Sequence, residues 1–256
     1  MIILKVITAM RKFLIIIFAI FFLPTVANAQ LWKIKRYEAT AAIGTTQFFG
    51  DIGGFSKSDN ILGLKDISFR QTRMNLSFAM KYRILDELSV RLNLAFGYFH
   101  ATDARGSNVA RGFESRTMFF EPSLSGEYYF IKNKGENSFL LMKGKGRRSM
   151  SIFSMLDFYA FTGIGGLSFN VSPNDVLAPL ATKTRGFTAV IPAGAGVNLI
   201  YSSDFSFGLE LGGRYSFSDN LDGYTSPYSI SDDVYYFLNF VFTYKVKTGK
   251  NGLPSF

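Results

Sequence analysis

Residues 88–99, LSVRLNLAFGYF, alternate between two kinds of side chain, and this constrains the fold more than any other feature. One face carries large apolar side chains, namely Leu88, Val90, Leu92, Leu94, Phe96 and Tyr98. The other carries polar or small ones, namely Ser89, Arg91, Asn93, Ala95 and Gly97. A period of two predicts a β-strand between two different environments, in a soluble sandwich or a membrane. The stretch is about as long as a tilted membrane-spanning strand, roughly 9–11 residues, so it favours a transmembrane barrel with lipid outside and a packed polar lumen inside.

The first 29 residues have the pattern of a secretory signal peptide. The basic pair Arg11-Lys12 precedes an apolar run over 13–22, and the small-residue sequence Ala27-Asn28-Ala29 follows. This order predicts a signal peptide over 1–29, cleavage before Gln30 and one outer-membrane barrel domain over 30–256. The alternative is an uncleaved membrane anchor, for which the apolar run is short.

The composition narrows the class of protein. The chain has no cysteine, which excludes disulfides, thiol catalysis and anchoring through a lipidated N-terminal cysteine. Removal of residues 1–29 lowers the net charge from +9 to +6, and outside one cluster the basic residues are dispersed, so nucleic acid is not the expected partner. No later segment approaches 18 continuous apolar residues, which leaves strands as the membrane-spanning elements.

Alternation elsewhere predicts eight strands in all, which makes the predicted fold an all-β, eight-stranded antiparallel transmembrane barrel. Pro122 lies inside the fourth strand and predicts a bulge near the rim, because proline removes a ladder donor. The fifth strand has an ambiguous phase. The predicted strands cover about 37–47, 69–84, 88–99, 115–131, 156–169, 187–201, 205–217 and 233–247.

The lengths of the connections also alternate. Long connections follow the first, third, fifth and seventh strands, and tight turns follow the second and sixth. Short periplasmic turns and long outer loops are typical of bacterial barrels, so we expect both termini in the periplasm of a Gram-negative cell. The connection over 132–154 is long and basic, and is therefore either a periplasmic partner contact or a solvated hairpin or disordered loop. Its candidate contact residues are Lys143, Lys145, Arg147 and Arg148.

The side chains predicted to face the lumen include four acids and five bases. An eight-stranded barrel is just wide enough for side chains to fill it, and charges there are stable only when paired. The near balance predicts a salt-bridged plug, with a binding or gating network as the alternative. The predicted lumen charges are Glu38, Arg73, Lys81, Arg91, Glu121, Glu127, Glu210, Arg214 and Lys245.

We expect no catalytic site, metal or cofactor. The single histidine, His100, has Asp103 and Ser107 nearby, which raises the hypothesis of a rim enzyme. A solvated or girdle histidine accounts for the same residues. The outer-loop aspartates lack the spacing of a calcium loop and are expected to be mostly turn residues; these are Asp51, Asp59, Asp219, Asp222, Asp232 and Asp233.

Two stretches resemble a known family. The sequence Phe48-Phe49-Gly50-Asp51 follows the first strand, and residues 213–224 contain Arg214, Asp219, Leu221 and Asp222 in the order Arg-x-x-x-x-Asp-x-Leu-Asp. These stretches are similar to the small outer-membrane barrels that include PorG of the type IX secretion system, with an architecture like OmpA, OmpX and OmpW. Gly223-Tyr224 stand where the secretion component has Asp-Val. The resemblance implies a protein-binding, non-catalytic role beside a periplasmic assembly.

These observations predict a non-enzymatic outer-membrane barrel that anchors or supports an envelope assembly such as type IX secretion. Its expected partners are outer-membrane lipid and periplasmic or outer-membrane secretion proteins. The alternative is a small porin-like barrel that transports small or hydrophobic solutes.

Overall fold

The eight alternating segments form eight long antiparallel strands. A computed structural model describes residues 35–54, 67–104, 107–132, 139, 152–226, 232–249, 251 and 253–255. The signal-peptide prediction lies outside these residues. The strands are β1 (Tyr37–Phe49), β2 (Arg73–Arg83), β3 (Leu88–Thr102), β4 (Glu114–Ile131), β5 (Leu156–Pro173), β6 (Arg185–Ile200), β7 (Phe205–Ser216) and β8 (Val234–Thr248).

The strands follow one another around a closed barrel. Each pairs with its sequence neighbour, and β1 also pairs with β8 from Tyr37↔Val246 to Phe49↔Val234, so the eight-stranded ring has no free edge. A two-residue strand, β9 (Pro254–Ser255), extends β8 by pairing with its last residues. We call the end that holds Tyr37 and Thr248 the termini end, and the opposite end the loop end.

The faces of the barrel confirm the predicted fold class. Large apolar side chains are exposed on the outside, among them Met80 on β2, Leu92 on β3 and Phe240 on β8. Their sequence neighbours point into the lumen and are buried, as Lys81 and Arg91 are. Strands that bury polar residues and expose apolar ones need an apolar solvent, and closure satisfies every edge. The chain is therefore a transmembrane β-barrel.

Two details of the strand predictions are corrected. Pro122 causes no bulge: it pairs with Leu94 in the middle of β4, and the β4–β5 register is the same on both sides of it. The irregularity of this ladder lies between Tyr129 and Ile131. The phase of β5 is continuous, because Gly163 and Gly165 occupy inward positions between Phe161 and Leu167.

The connections alternate as predicted. Tight turns at the termini end join β2 to β3 and β6 to β7, with Ile84 donating to Leu88 and Tyr201 donating to Phe205 through their backbone groups. The connections at the loop end are longer and include 3₁₀ turns at Val109–Arg111 and Ala178–Leu180. A third turn, Ile152–Met155, leads into β5 at the termini end. In the described part of the chain no helix has the length and apolarity to cross a membrane.

Candidate functional site

A charge network crosses the lumen in its half nearer the termini. The Arg91 guanidinium on β3 lies 2.5 Å from Glu210 Oε2 on β7 and 3.1 Å from Glu127 Oε1 on β4. Lys81 Nζ lies 2.8 Å from the same Glu127 oxygen. In a ring of eight strands β3 and β7 are opposite each other, so the Arg91–Glu210 pair spans the full width of the lumen.

A second bridge crosses the lumen nearer its middle. The Tyr235 hydroxyl on β8 donates to Glu121 Oε2 on β4 at 2.7 Å, and β8 is opposite β4. Arg214 Nε lies 3.7 Å from Glu121 Oε1, and the Arg214 guanidinium lies 3.9 Å from the centre of the Phe237 ring. Buried charges at this level therefore have opposite charges, hydroxyl groups or ring faces around them, as burial requires.

The structure adds residues that the sequence analysis did not assign to the lumen network. The Tyr159 hydroxyl donates to Glu210 at 2.8 Å and the Tyr129 hydroxyl donates to Glu127 at 3.1 Å. Arg83 pairs with Glu38 near the termini end. Arg83 lies two positions after Lys81, and Tyr129 lies two positions after Glu127. Extending the period of two by one step would therefore have predicted that both side chains face the lumen.

Two predicted members of the network are placed differently. Arg73 is only half-buried at the loop end, where β2 begins, and its guanidinium donates to the backbone oxygens of Arg70 and Thr72. Lys245 faces inward at the termini end but is half-buried and has no ion pair within the described ranges. Both lie at rims, where the alternation of faces no longer separates lumen from surroundings.

The half of the lumen nearer the loop end is aromatic, which corrects the expectation of a polar interior throughout. Phe99 stacks on Phe119 with ring centres 4.3 Å apart, and Tyr235 lies 4.7 Å from Phe99 across the barrel. All three rings are almost fully buried. This aromatic core also contains Phe48, Leu167, Phe169, Val171 and Phe237.

The family-like loop over 218–226 folds down onto this core. Leu221 is fully buried there, and its backbone oxygen accepts a hydrogen bond from Thr117 Oγ1 at 2.6 Å. Gly223, with a φ of 84°, adopts the left-handed backbone that allows the loop to turn back. The carboxylate of Asp222 accepts from the backbone of Ile52 at 3.1 Å and of Tyr224 at 3.0 Å. Leu221 and Asp222 thus join the last long loop to the first one.

Buried aspartates hold this outer cap, which we define as residues 48–54 and 218–226. Asp233 Oδ2 accepts from the backbone N–H of Leu221 at 2.8 Å. Burial raises the pKa of Asp222 to about 7, with Asp51 and Asp219 adding to the rise. Burial also raises the pKa of Asp233, and there the Asp222 carboxyl group adds to the rise. Asp219 is half-buried at the edge of the cap, and Asp59 lies outside the described residues. Within the described ranges no acidic group has the arrangement of a metal site.

An arginine clamp completes the cap on its other side. Asp103 accepts from Arg111 Nε at 2.7 Å and from the backbone of Gly53 at 2.9 Å. Arg111 also donates to the backbone oxygen of Asp51 at 2.9 Å, and its guanidinium lies 5.0 Å from the Tyr224 ring. The side-chain hydrogen bond to Asp103 raises the pKa of Arg111, so the guanidinium of this clamp stays protonated.

His100 lies at the rim on the outward-facing side of β3, as expected of a girdle histidine, but it is buried instead of solvated. Its Nε2 lies 3.6 Å from Glu114 Oε1, and Arg73 and Arg116 are its other charged neighbours. Asp103 is engaged by Arg111 on the inward side of the rim. In the described part of the chain His100 and Asp103 do not contact each other.

The predicted periplasmic contact residues, Lys143, Lys145, Arg147 and Arg148, lie outside the described residues. The flanking Lys132 is half-buried with its ammonium 5.2 Å from the centre of the Tyr129 ring. Burial lowers the pKa of Lys132 to about 8.

Fold and site together define a class: a small transmembrane β-barrel whose lumen is crossed by side chains and capped by its own loops. No protein-family model and no curated protein matches the sequence.

Solved structures of small barrels are similar to it. Neisserial surface protein A has a TM-score of 0.44 at 10% identity, with 83% of this chain and 97% of that chain covered. A major outer-membrane protein from Thermus thermophilus has a TM-score of 0.41 at 13% identity, with 81% and 99% covered. The E. coli outer membrane protein W has a TM-score of 0.37 at 16% identity, with 82% and 97% covered.

Proposed function

We propose that this protein is a non-enzymatic outer-membrane barrel that serves as a sealed membrane anchor for an envelope assembly such as that of type IX secretion. The observation that carries the proposal is the pair of side-chain bridges across the full width of the lumen, Arg91–Glu210 and Tyr235–Glu121. A barrel filled in this way offers no continuous water path. Its accessible surfaces are then its lipid face and its two ends, which suits anchoring.

The exposed apolar face supports a location in the outer membrane, because closed barrels with this face occur there. Short turns at the termini end support a periplasmic position for both termini. In this orientation the basic connection after β4 faces the periplasm. We propose that its residues Lys143, Lys145, Arg147 and Arg148 contact the periplasmic partner.

The experiment is affinity purification of the tagged full-length protein from detergent-solubilised outer membrane. A variant lacking residues 135–149 is purified in parallel, with Lys247→Gln as a control that removes a positive charge elsewhere at the termini end. We expect stoichiometric periplasmic proteins with wild type and the control, and their loss with the deletion. Equal recovery with the deletion would contradict the proposed contact, and a barrel that purifies alone would contradict the anchoring role.

Transport by a narrow pore is the alternative, and planar-bilayer recordings separate the two. A sealed anchor gives no steps of conductance. Conductance steps that change in the Arg91→Gln variant would instead support a pore that is gated by the lumen network.

A further inference from the structure

Three arginines lie at the loop end of the barrel, with Arg116 on β4 between Arg73 on β2 and Arg185 on β6, and we call them the arginine rim. Arg116 on β4 and Arg185 on β6 are exposed. They lie on the outward face of their strands, as Met118 and Phe187 do two residues farther along. Arg73 is half-buried, and Arg116 and Glu114 are its charged neighbours.

Among the residues that the structure describes, no ion pair neutralises the positive charge of the arginine rim. Arg185 Nε donates to the side-chain oxygen of Asn170 at 3.1 Å, and Arg73 donates to backbone oxygens. Within the described ranges no carboxylate lies at ion-pair distance from the three guanidinium groups. Glu114 is the nearby acid, and its carboxylate lies 3.6 Å from His100.

Arg185 lines a depression of about 800 Å³ in the outer wall, and Arg73 and Arg116 are close in sequence to two other lining residues, Met74 and Met118. One side of it is apolar, and there the rings of Phe96 and Phe120 lie 4.8 Å apart. The other side is formed by β5 and β6, where small or polar side chains project less from the barrel surface. Its lining residues include Met74, Leu76, Tyr98 and Met118 on the first side, and Ser168, Asn170, Arg185 and Gly186 on the second.

The strand register fixes the spacing of the two exposed arginines. Arg116 is opposite Ser172 on β5, and Arg185 is opposite Asn170 on the same strand. One strand therefore separates them, and they are also offset by two residues along it, which sets their backbones roughly 12 Å apart across the wall. Arginine side chains reach across this distance from both sides, so the pair fits a headgroup that carries more than one phosphate.

We propose that the arginine rim and the depression bind a phosphorylated glycolipid of the surrounding leaflet. Its phosphates lie against Arg116 and Arg185, and an acyl chain lies in the depression. The charge of the rim is complementary to phosphate, and the apolar depression opens at the same point onto the lipid phase. This inference rests on the proposed function, which places the loop end in the outer leaflet.

The test uses the full-length protein in nanodiscs of neutral phosphatidylcholine, with bisphosphorylated lipid A titrated in and counted on the barrel by native mass spectrometry. The double variant Arg116→Gln/Arg185→Gln should bind it about thirtyfold more weakly, from the loss of two arginines near the membrane surface. Lys247→Gln, an exposed charge at the termini end, should bind like wild type. Equal unfolding midpoints in urea establish that the variants are folded.

Two further ligands define the source of the phosphate. Phosphatidylglycerol and inorganic phosphate should each bind much more weakly than lipid A. Equal binding of phosphatidylglycerol would show general attraction to an anionic surface and overturn the inference, as would full lipid A binding by the double variant. Failure of the wild-type protein to bind lipid A, with intact partner capture, counts against this inference alone. Lipid A binding by a wild-type protein that captures no partner counts against the proposed function alone.

Discussion

Asp222 is a residue through which the outer cap responds to pH near neutrality. Its carboxylate receives two backbone hydrogen bonds, yet burial and nearby acids raise its pKa to about 7. A carboxyl group whose pKa is higher in the folded than in the unfolded protein favours folding in its protonated form. Its contribution is full below about pH 4 and is lost as the pH rises through about 7.

We therefore expect the cap to loosen between pH 5 and pH 8 by an amount on the order of a few kcal/mol. The measurement is hydrogen exchange of the Ile52 and Tyr224 amides, corrected for intrinsic rates, in wild type and in Asp222→Asn. The variant should show a smaller pH dependence, with the remainder due to Asp233. Asp175→Asn, an exposed control in the same half of the barrel, should behave like wild type. An unchanged pH dependence in Asp222→Asn would refute this role for Asp222.

Among the elements, the lumen network acts as a connection between strands that are not neighbours. Glu127 on β4 lies within 3.1 Å of both Lys81 on β2 and Arg91 on β3, and Arg91 continues to β7. Removing one charge from a buried set leaves the others uncompensated, which typically costs about 3–5 kcal/mol.

Glu127→Gln should accordingly lower the free energy of unfolding by about 3–5 kcal/mol in a urea titration of the reconstituted barrel. Ser125→Ala is the matched control, because Ser125 is a buried inward neighbour on the same strand without a charge. A loss below about 1 kcal/mol for Glu127→Gln, comparable with an exposed pair, would mean that the ion pairs are not desolvated.

The elements also show how far the sequence could predict the structure. The pleat of a strand enforces a period of two, so the strands and most lumen residues, such as Arg91 and Glu210, were predictable. The outer cap was not, because Asp222 meets Ile52 across 170 positions of sequence. Nothing local in a turn-like run such as Asp219–Gly223 distinguishes a solvated loop from one that folds into the barrel mouth. Arg73 has the predicted inward phase and pairs with Thr46 of β1, but it is the first residue of β2 and has no partner on β3, so its side chain is only half-buried at the rim.

At the scale of the whole molecule, closure depends on the close approach of β1 and β8. Gly44 lies opposite Asn239 in this seam, and a Cβ at position 44 would overlap Asn239 and the backbone oxygen of Leu238. A larger side chain here would push the first and last strands apart.

Gly44→Val should therefore destabilise the barrel by about 1–3 kcal/mol and lower the folded fraction after refolding into lipid. The folded fraction is read from the mobility difference between unheated and heated samples on gels. Ala39→Val, on the exposed face of the same strand, should refold like wild type. Normal refolding of Gly44→Val would show that the seam relaxes around the added atoms.

The same seam sets the timing of assembly. Because the first strand finds its second partner only in residues 234–248, the ring cannot be completed while the chain is still being delivered from its N-terminal end. Until the last strand arrives, the partial sheet has two unsatisfied edges and an apolar face without a lipid phase around it. A chain that ends before β8 cannot close the ring, so it should keep two open edges and be prone to aggregation.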